Sequence, residues 1–177
     1  MSSANIRGGF KMLGYAELFD YFKAERRKLF HAFREMPFDE FVRNRELSFY
    51  SIKDTFLHTL SVEDNWLHYR AAGLETESPV RFEDFKSIEA IEKYSLEVDA
   101  KTRALFATLD SQAIQRPVIR KYPDGHSTTQ SLGWVLYHIP IEVIHHYGEI
   151  FAEFWKGGKD APYLSYLAFK REATQTK

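Results

Sequence analysis

The chain has 177 residues, 44% apolar and 16% aromatic, with 24 basic against 25 acidic side chains. That length and apolar content suit one globular unit with a real core and exclude a disordered chain, while the near-balanced charge gives no sign of the basic stripe of a nucleic-acid binder. With no cysteine, disulfides, thiolate zinc sites and a cysteine nucleophile are excluded, so thiol chemistry here needs a thiol carried by a small molecule.

Met1 to Phe10 holds no apolar run of the signal-peptide kind, and no uninterrupted apolar segment reaches the ~18 residues of a membrane span. A soluble cytoplasmic protein without a membrane partner is expected. Phe10 to Met36 reads as a first helix, with Leu18, Phe22, Leu29 and Phe33 recurring between charges and Pro37 ending it. Pro37 to Ser48 is mixed, with room for a short helical turn. Ser51 suits the N-cap of a second helix, Ile52 to Ala72, with Gly73 as its C-cap. Leu74 to Lys86 is a connector.

Ser87 caps a third helix, Ile88 to Leu109, whose apolar positions form one broad stripe. Asp110 to Gln130 reads as an irregular excursion or small hairpin, turning at Tyr122-Pro123-Asp124-Gly125. Leu132 to Lys156 is a fourth helix, closed by Gly157-Gly158. Tyr163 to Phe169 reads as a short terminal helix, and Lys170 to Lys177 as a polar tail. The expected fold is all-α, a four-helix bundle with longer connectors, the excursion before the last long helix, and the short C-terminal helix.

The fourth helix concentrates the ligand chemistry. His138, Glu142, His145, His146 and Glu149 lie within twelve residues. At about 100° per residue, His146 falls inside the apolar face, Glu142 on its edge, His138 further round, and His145 drifts outward. Glu142 and His146, at i and i+4, form the best inward pair. That spacing suits two ligands of a divalent metal, and equally an ordinary salt bridge. A third ligand has to come from another helix. His58 on the second helix falls roughly 150° from the centre of the face drawn through Ile52, Phe56, Leu60, Trp66 and Leu67. Either that face is drawn wrongly or His58 points away from the core. Pro140 interrupts the fourth helix's hydrogen bonding and predicts a kink. His31, His68 and His126 read as ordinary surface or partly buried histidines. No second Glu-x-x-His accompanies Glu142-x-x-His145, which argues against a di-iron bundle, and there is no His-Glu-x-x-His, phosphate loop or nucleophile elbow.

With these residues in place, the chain resembles the DinB-like superfamily, also called the DinB/YfiT-like metalloenzymes. The likeness covers roughly Met12 to Phe169 and rests on order and spacing. The family's last-helix pattern H-x-x-x-H-x-x-x-H-R-G-Q is matched by His138, Glu142, His146, Tyr147, Gly148 and Glu149. On the second helix the family's histidine, acid and aromatic correspond to His58, Glu63 and Trp66. Arg81-Phe82-Glu83-Asp84-Phe85 and Tyr122-Pro123-Asp124-Gly125 also look like the family. The resemblance implies a single domain over residues 1–177, with its core at about 10–169. It also implies one divalent metal ion (zinc, nickel, manganese or iron) held by His58, Glu142 and His146. Glu142 stands where the family usually has histidine, and Tyr147 and Glu149 replace its arginine and glutamine. These departures also admit a member that has lost the metal.

Members with known activity are similar to thiol-dependent enzymes, such as bacillithiol S-transferases and mycothiol-dependent isomerases. The resemblance therefore implies transfer of a low-molecular-weight thiol to a small electrophile, or hydrolysis of a small molecule. In this reading His138 is a catalytic base or an orienter of a ligand, while Tyr147, Glu149 and His145 shape the mouth. Many members look like homodimers, and a homodimer is expected here. The competing reading is a non-catalytic helical stress protein that binds a small ligand or partner, its His/Glu stripe a structural polar network.

Overall fold

A computed structural model describes residues 3–74 and 76–175, with side chains from residue 14 onward. These residues form six α-helices and one two-stranded sheet. The helices are α1 (Ser3–Arg34), α2 (Phe38–Val42), α3 (Ile52–Asp64), α4 (Ile88–Thr108), α5 (Leu132–Lys156) and α6 (Tyr166–Gln175). Strands β1 (Pro117–Lys121) and β2 (Ser127–Ser131) pair antiparallel between α4 and α5. The chain is thus mostly helical. Helix α1 packs on α4, α5 and α6, and α3 packs on α2, α4 and α5.

Serine caps start three of these helices. Ser51, Ser87 and Ser131 accept the backbone N–H groups of Asp54, Ala90 and Trp134, which α3, α4 and α5 leave without an internal partner. The core between α1 and α3 is aromatic. Phe56 lies 5.1 Å, ring centre to ring centre, from both Phe30 and Phe33, and Phe33 lies 4.8 Å from Phe41 of α2. Edge-to-face pairs of this kind each add about 0.5–1.5 kcal/mol beyond the area they bury.

The structure redraws three boundaries expected from the pattern. Helix α1 begins at Ser3, about two turns before Phe10. The second helix does not stay α-helical to Ala72. It widens at Asn65–Arg70 into a π-turn, closed by the Ala71 N–H on the Trp66 carbonyl, and then stops at Gly73, whose φ is +75°. Residues 170–175 are helical and not a tail, because Lys170 reaches across to Glu17 at 2.7 Å and the Ser165 hydroxyl accepts the Ala168 N–H. Thr176 and Lys177 of the expected tail lie outside the described residues.

The excursion before α5 is a regular hairpin. The turn is closed by the Gly125 N–H on the Tyr122 carbonyl at 2.9 Å, and Gly125 takes a φ of +88° that an L side chain rarely adopts. Pro140 is accommodated within a continuous α5. No helix among the described residues is long and apolar enough to cross a membrane.

Candidate metal centre

Helices α3 and α5 run side by side, and His58, Glu142 and His146 meet across that contact. One ligand atom from each lies within 4.8 Å of the others. Glu142 Oε2 is 3.5 Å from His146 Nε2 and 4.0 Å from His58 Nε2. Donors bound at ~2.0–2.2 Å in tetrahedral directions sit roughly 3.3–3.6 Å apart, so the Glu142–His146 pair already has the spacing of two ligands of a small divalent ion, and His58 would have to move inward to join it. His146 is buried, whereas the His58 and Glu142 side chains remain 22% and 31% exposed. The trio therefore faces solvent on one side and has room for a further ligand.

His58 reaches this position because α3 is covered on several sides, by α2, α4 and α5. Its buried residues, among them Thr55, Phe56, Leu57, Thr59, Leu60 and Glu63, run around the helix rather than along one stripe. A single apolar direction is therefore the wrong reference for His58. Burial and the neighbouring His146 pull its pKa down to about 4, so the imidazole is neutral at physiological pH and offers a lone pair.

Glu149 is not at an open mouth alone. Its Oε2 lies 2.9 Å from His146 Nδ1, and its other oxygen accepts the Ser48 hydroxyl. Burial opposes the Glu149 charge, yet the hydrogen bonds from Ser48 and His146 together hold its carboxyl below the usual carboxylate range. A carboxylate on Nδ1 keeps the proton there and turns the Nε2 lone pair toward Glu142 and His58.

The loop between α2 and α3 supplies residues that periodicity could not indicate. Phe49 stacks face to face on His58, with ring centres 3.7 Å apart, and meets His146 edge-on at 5.4 Å. The loop is held in a tight shape. Glu46 and Tyr50 take φ values of 58° and 67°, and the Arg45 N–H bonds the Tyr50 carbonyl at 2.6 Å. Left-handed non-glycine residues are costly and persist where the surroundings enforce them. Here Arg45 anchors the loop to Glu153 of α5 at 3.1 Å and to Glu40 at 2.7 Å. The one sequence signal was the unexplained mixed segment before Ser51.

The remaining candidates lie elsewhere. Tyr147 is not at a mouth. It is 1% exposed and sits between Phe22 and Phe56, because the α5 face next to His146 is the one that packs into the core. His138 is exposed and packs edge-on against Trp66 at 5.8 Å, two turns of α5 from His146. It is not brought to the ligand trio. His145 is exposed beside His146 and forms a second possible group with His146 and Glu149. That group lies within a little over one turn of α5, and its Glu149 is already committed to Ser48 and His146 Nδ1.

Glu63, matched to the family acid, is buried and serves the core. Arg26 pairs with it and with Asp99 at 2.9 Å, and Thr102 donates to it at 2.6 Å. His68 and Asp64 extend this network from Thr102, at 3.2 Å and 2.9 Å. The model described as DinB family matches residues 1–177. No curated protein matches the chain.

Proposed function

The chain belongs to the DinB family, and on that premise we propose that it is a metal-dependent enzyme that activates a small nucleophile for reaction with a small-molecule electrophile. The observation that carries this reading is the convergence of His58, Glu142 and His146 from two helices. The four long helices α1, α3, α4 and α5 are read as the family's four-helix bundle, with the site on its α3/α5 seam.

A divalent ion held by these three side chains would lower the pKa of a thiol or a water in the open position. The chain's own residues prepare the rest. His58 and His146 donate as neutral imidazoles, and Glu142 brings the only negative charge of the trio, leaving net positive charge for an anionic nucleophile. Glu149, steadied by Ser48, fixes the His146 ring. Phe49 covers one face of His58 and keeps water from it. Since the protein has no cysteine, a thiol nucleophile would be a low-molecular-weight co-substrate; hydrolysis would use water at the same position.

A second copy of the chain is the proposed partner. Tyr137, Ile141, Ile144, Gly148, Phe151 and Trp155 recur at alternating spacings of four and three along α5, the pattern of a helix-pair seam. Tyr137, Ile141, Ile144 and Trp155 are exposed, and Gly148 leaves open space for close approach.

Metal analysis of the untagged protein, supplied with zinc, nickel, manganese and iron, tests the central reading. About one divalent ion per chain is expected, lost in His58→Ala and in His146→Ala. Absence of bound metal in the wild type overturns it and leaves the trio as a polar network of a non-catalytic protein.

A further inference from the structure

The hairpin and the α3/α5 seam enclose a hollow that the metal reading does not use. It measures about 310 Å³ and is lined by Trp66, Arg120, Tyr122, Gln130, Trp134 and His138. Register sets Arg120 opposite Thr128 and Val118 opposite Gln130. Side-chain alternation places these four on one hairpin face, and the full burial of Val118 identifies it as the face turned to the helices. The π-turn that ends the second helix begins beside Trp66, the residue forming the hollow's inner wall.

Three features of the hollow are left without partners. The Arg120 guanidinium lies 4.5 Å from the Tyr122 ring centre and 5.9 Å from that of Trp66. Among the described residues it has no carboxylate partner. Gln130 Oε1 is buried with no hydrogen-bond partner in the protein. A buried polar atom left unpaired costs about 1–3 kcal/mol, so this atom calls for a ligand group or a water. Trp134 is 69% exposed at the rim, an unusual place for an indole with no role.

We propose that this hollow binds a small aromatic carboxylate carrying a hydroxyl. A planar carboxylate matches the forked guanidinium, which binds it through two parallel hydrogen bonds. Gln130 Oε1 accepts the ligand hydroxyl. Trp66 and Trp134 supply the flat apolar walls, and the volume suits a single-ring compound at the small end of ligand pockets. His138 and Glu142 are one turn apart on α5, so a molecule held here extends along the seam toward the metal centre. That alignment rests on the reading proposed above; the binding itself does not.

The experiment is calorimetric titration of the full chain, metal-loaded and metal-stripped, with 3-(4-hydroxyphenyl)propanoate and with its uncharged amide. Expected are one saturable site for the acid in both forms and binding of the amide weaker by about tenfold. Arg120→Gln should lose about as much for the acid and little for the amide, with Arg120→Lys in between. Thermal unfolding verifies that each variant is folded, and Gln130→Leu provides an independent loss should Arg120→Gln not fold. Lack of saturable binding of the acid at millimolar concentration, equal binding of acid and amide, or unchanged binding in a folded Arg120→Gln overturns the proposal. If metal fails to bind but the acid does, the metal reading falls while this one stands.

Discussion

The Nδ1 atom of His146 lies 2.9 Å from Oε2 of Glu149, one helical turn further along α5. That contact, backed by Ser48, decides which nitrogen of His146 looks toward Glu142 and His58. A residue outside the ligand trio thereby sets the trio's geometry. Losing such an orienting carboxylate typically weakens metal binding by about 10–100-fold. Glu149→Gln is expected to fall in that range while the unfolding midpoint of the metal-free protein stays close to wild type. Competition with a chelator of known affinity measures the first, and thermal denaturation the second. An unchanged metal affinity would remove Glu149 from the site.

Arg26 is buried and pairs with both Glu63 and Asp99. Removing the cation strands a carboxylate in the core. Arg26→Met is expected to cost about 3–5 kcal/mol of folding stability, the penalty of breaking a buried pair from one side. Glu63→Gln should cost less, because the amide oxygen can face Arg26 while the Thr102 hydroxyl turns to accept the amide N–H, and Arg26 keeps Asp99. Urea unfolding of the two variants checks the order; a smaller loss for Arg26→Met would show that solvent reaches the network.

The α5 seam makes a prediction about assembly. Ile144→Lys puts a charge in the middle of the exposed apolar row formed by Tyr137, Ile141, Ile144 and Trp155. Desolvating an unpaired lysine opposes association. Sedimentation equilibrium should show a dimer for the wild type and a monomer for the variant, with helix content by circular dichroism unchanged. A wild type that sediments as a monomer rejects the seam.

Glu25 is fully buried on α1, and burial raises its carboxyl above the usual carboxylate range despite the Lys28 ammonium at 3.1 Å. A raised folded-state pKa means that the native state holds the proton more tightly than the unfolded chain. The resulting stabilisation is fully present below the unfolded pKa and is lost as pH rises through the folded one. Glu25→Gln should therefore gain on the wild type as pH goes from about 4 to about 7. Parallel urea titrations at the two pH values read this gap, and a gap that stays constant would show that Glu25 ionises freely in the native protein.

Much of the fold could be read along the chain because its signals are local. Serine caps before Ile52 and Ile88, glycines at residues 73 and 157, and the Pro-Asp-Gly turn act within a few residues of themselves. The α5 helix accordingly spans Leu132–Lys156, as its apolar period requires. The inward pair Glu142 and His146 followed from the same period, because one face of α5 carries most of its packing. His58 did not follow, since α3 is packed on several sides and has no single inward direction. Tyr147 and Glu149, neighbours in sequence, were read together as a mouth, and tertiary packing separates them into core and orienting carboxylate. Ser48 and Phe49 arrive from a loop whose shape depends on Arg45 reaching Glu153, more than a hundred positions away. Local hydrogen bonding and apolar periodicity thus determined the elements. Only the docking of α3, α5 and that loop, which depends on contacts distant in sequence, decided which side chains share a site.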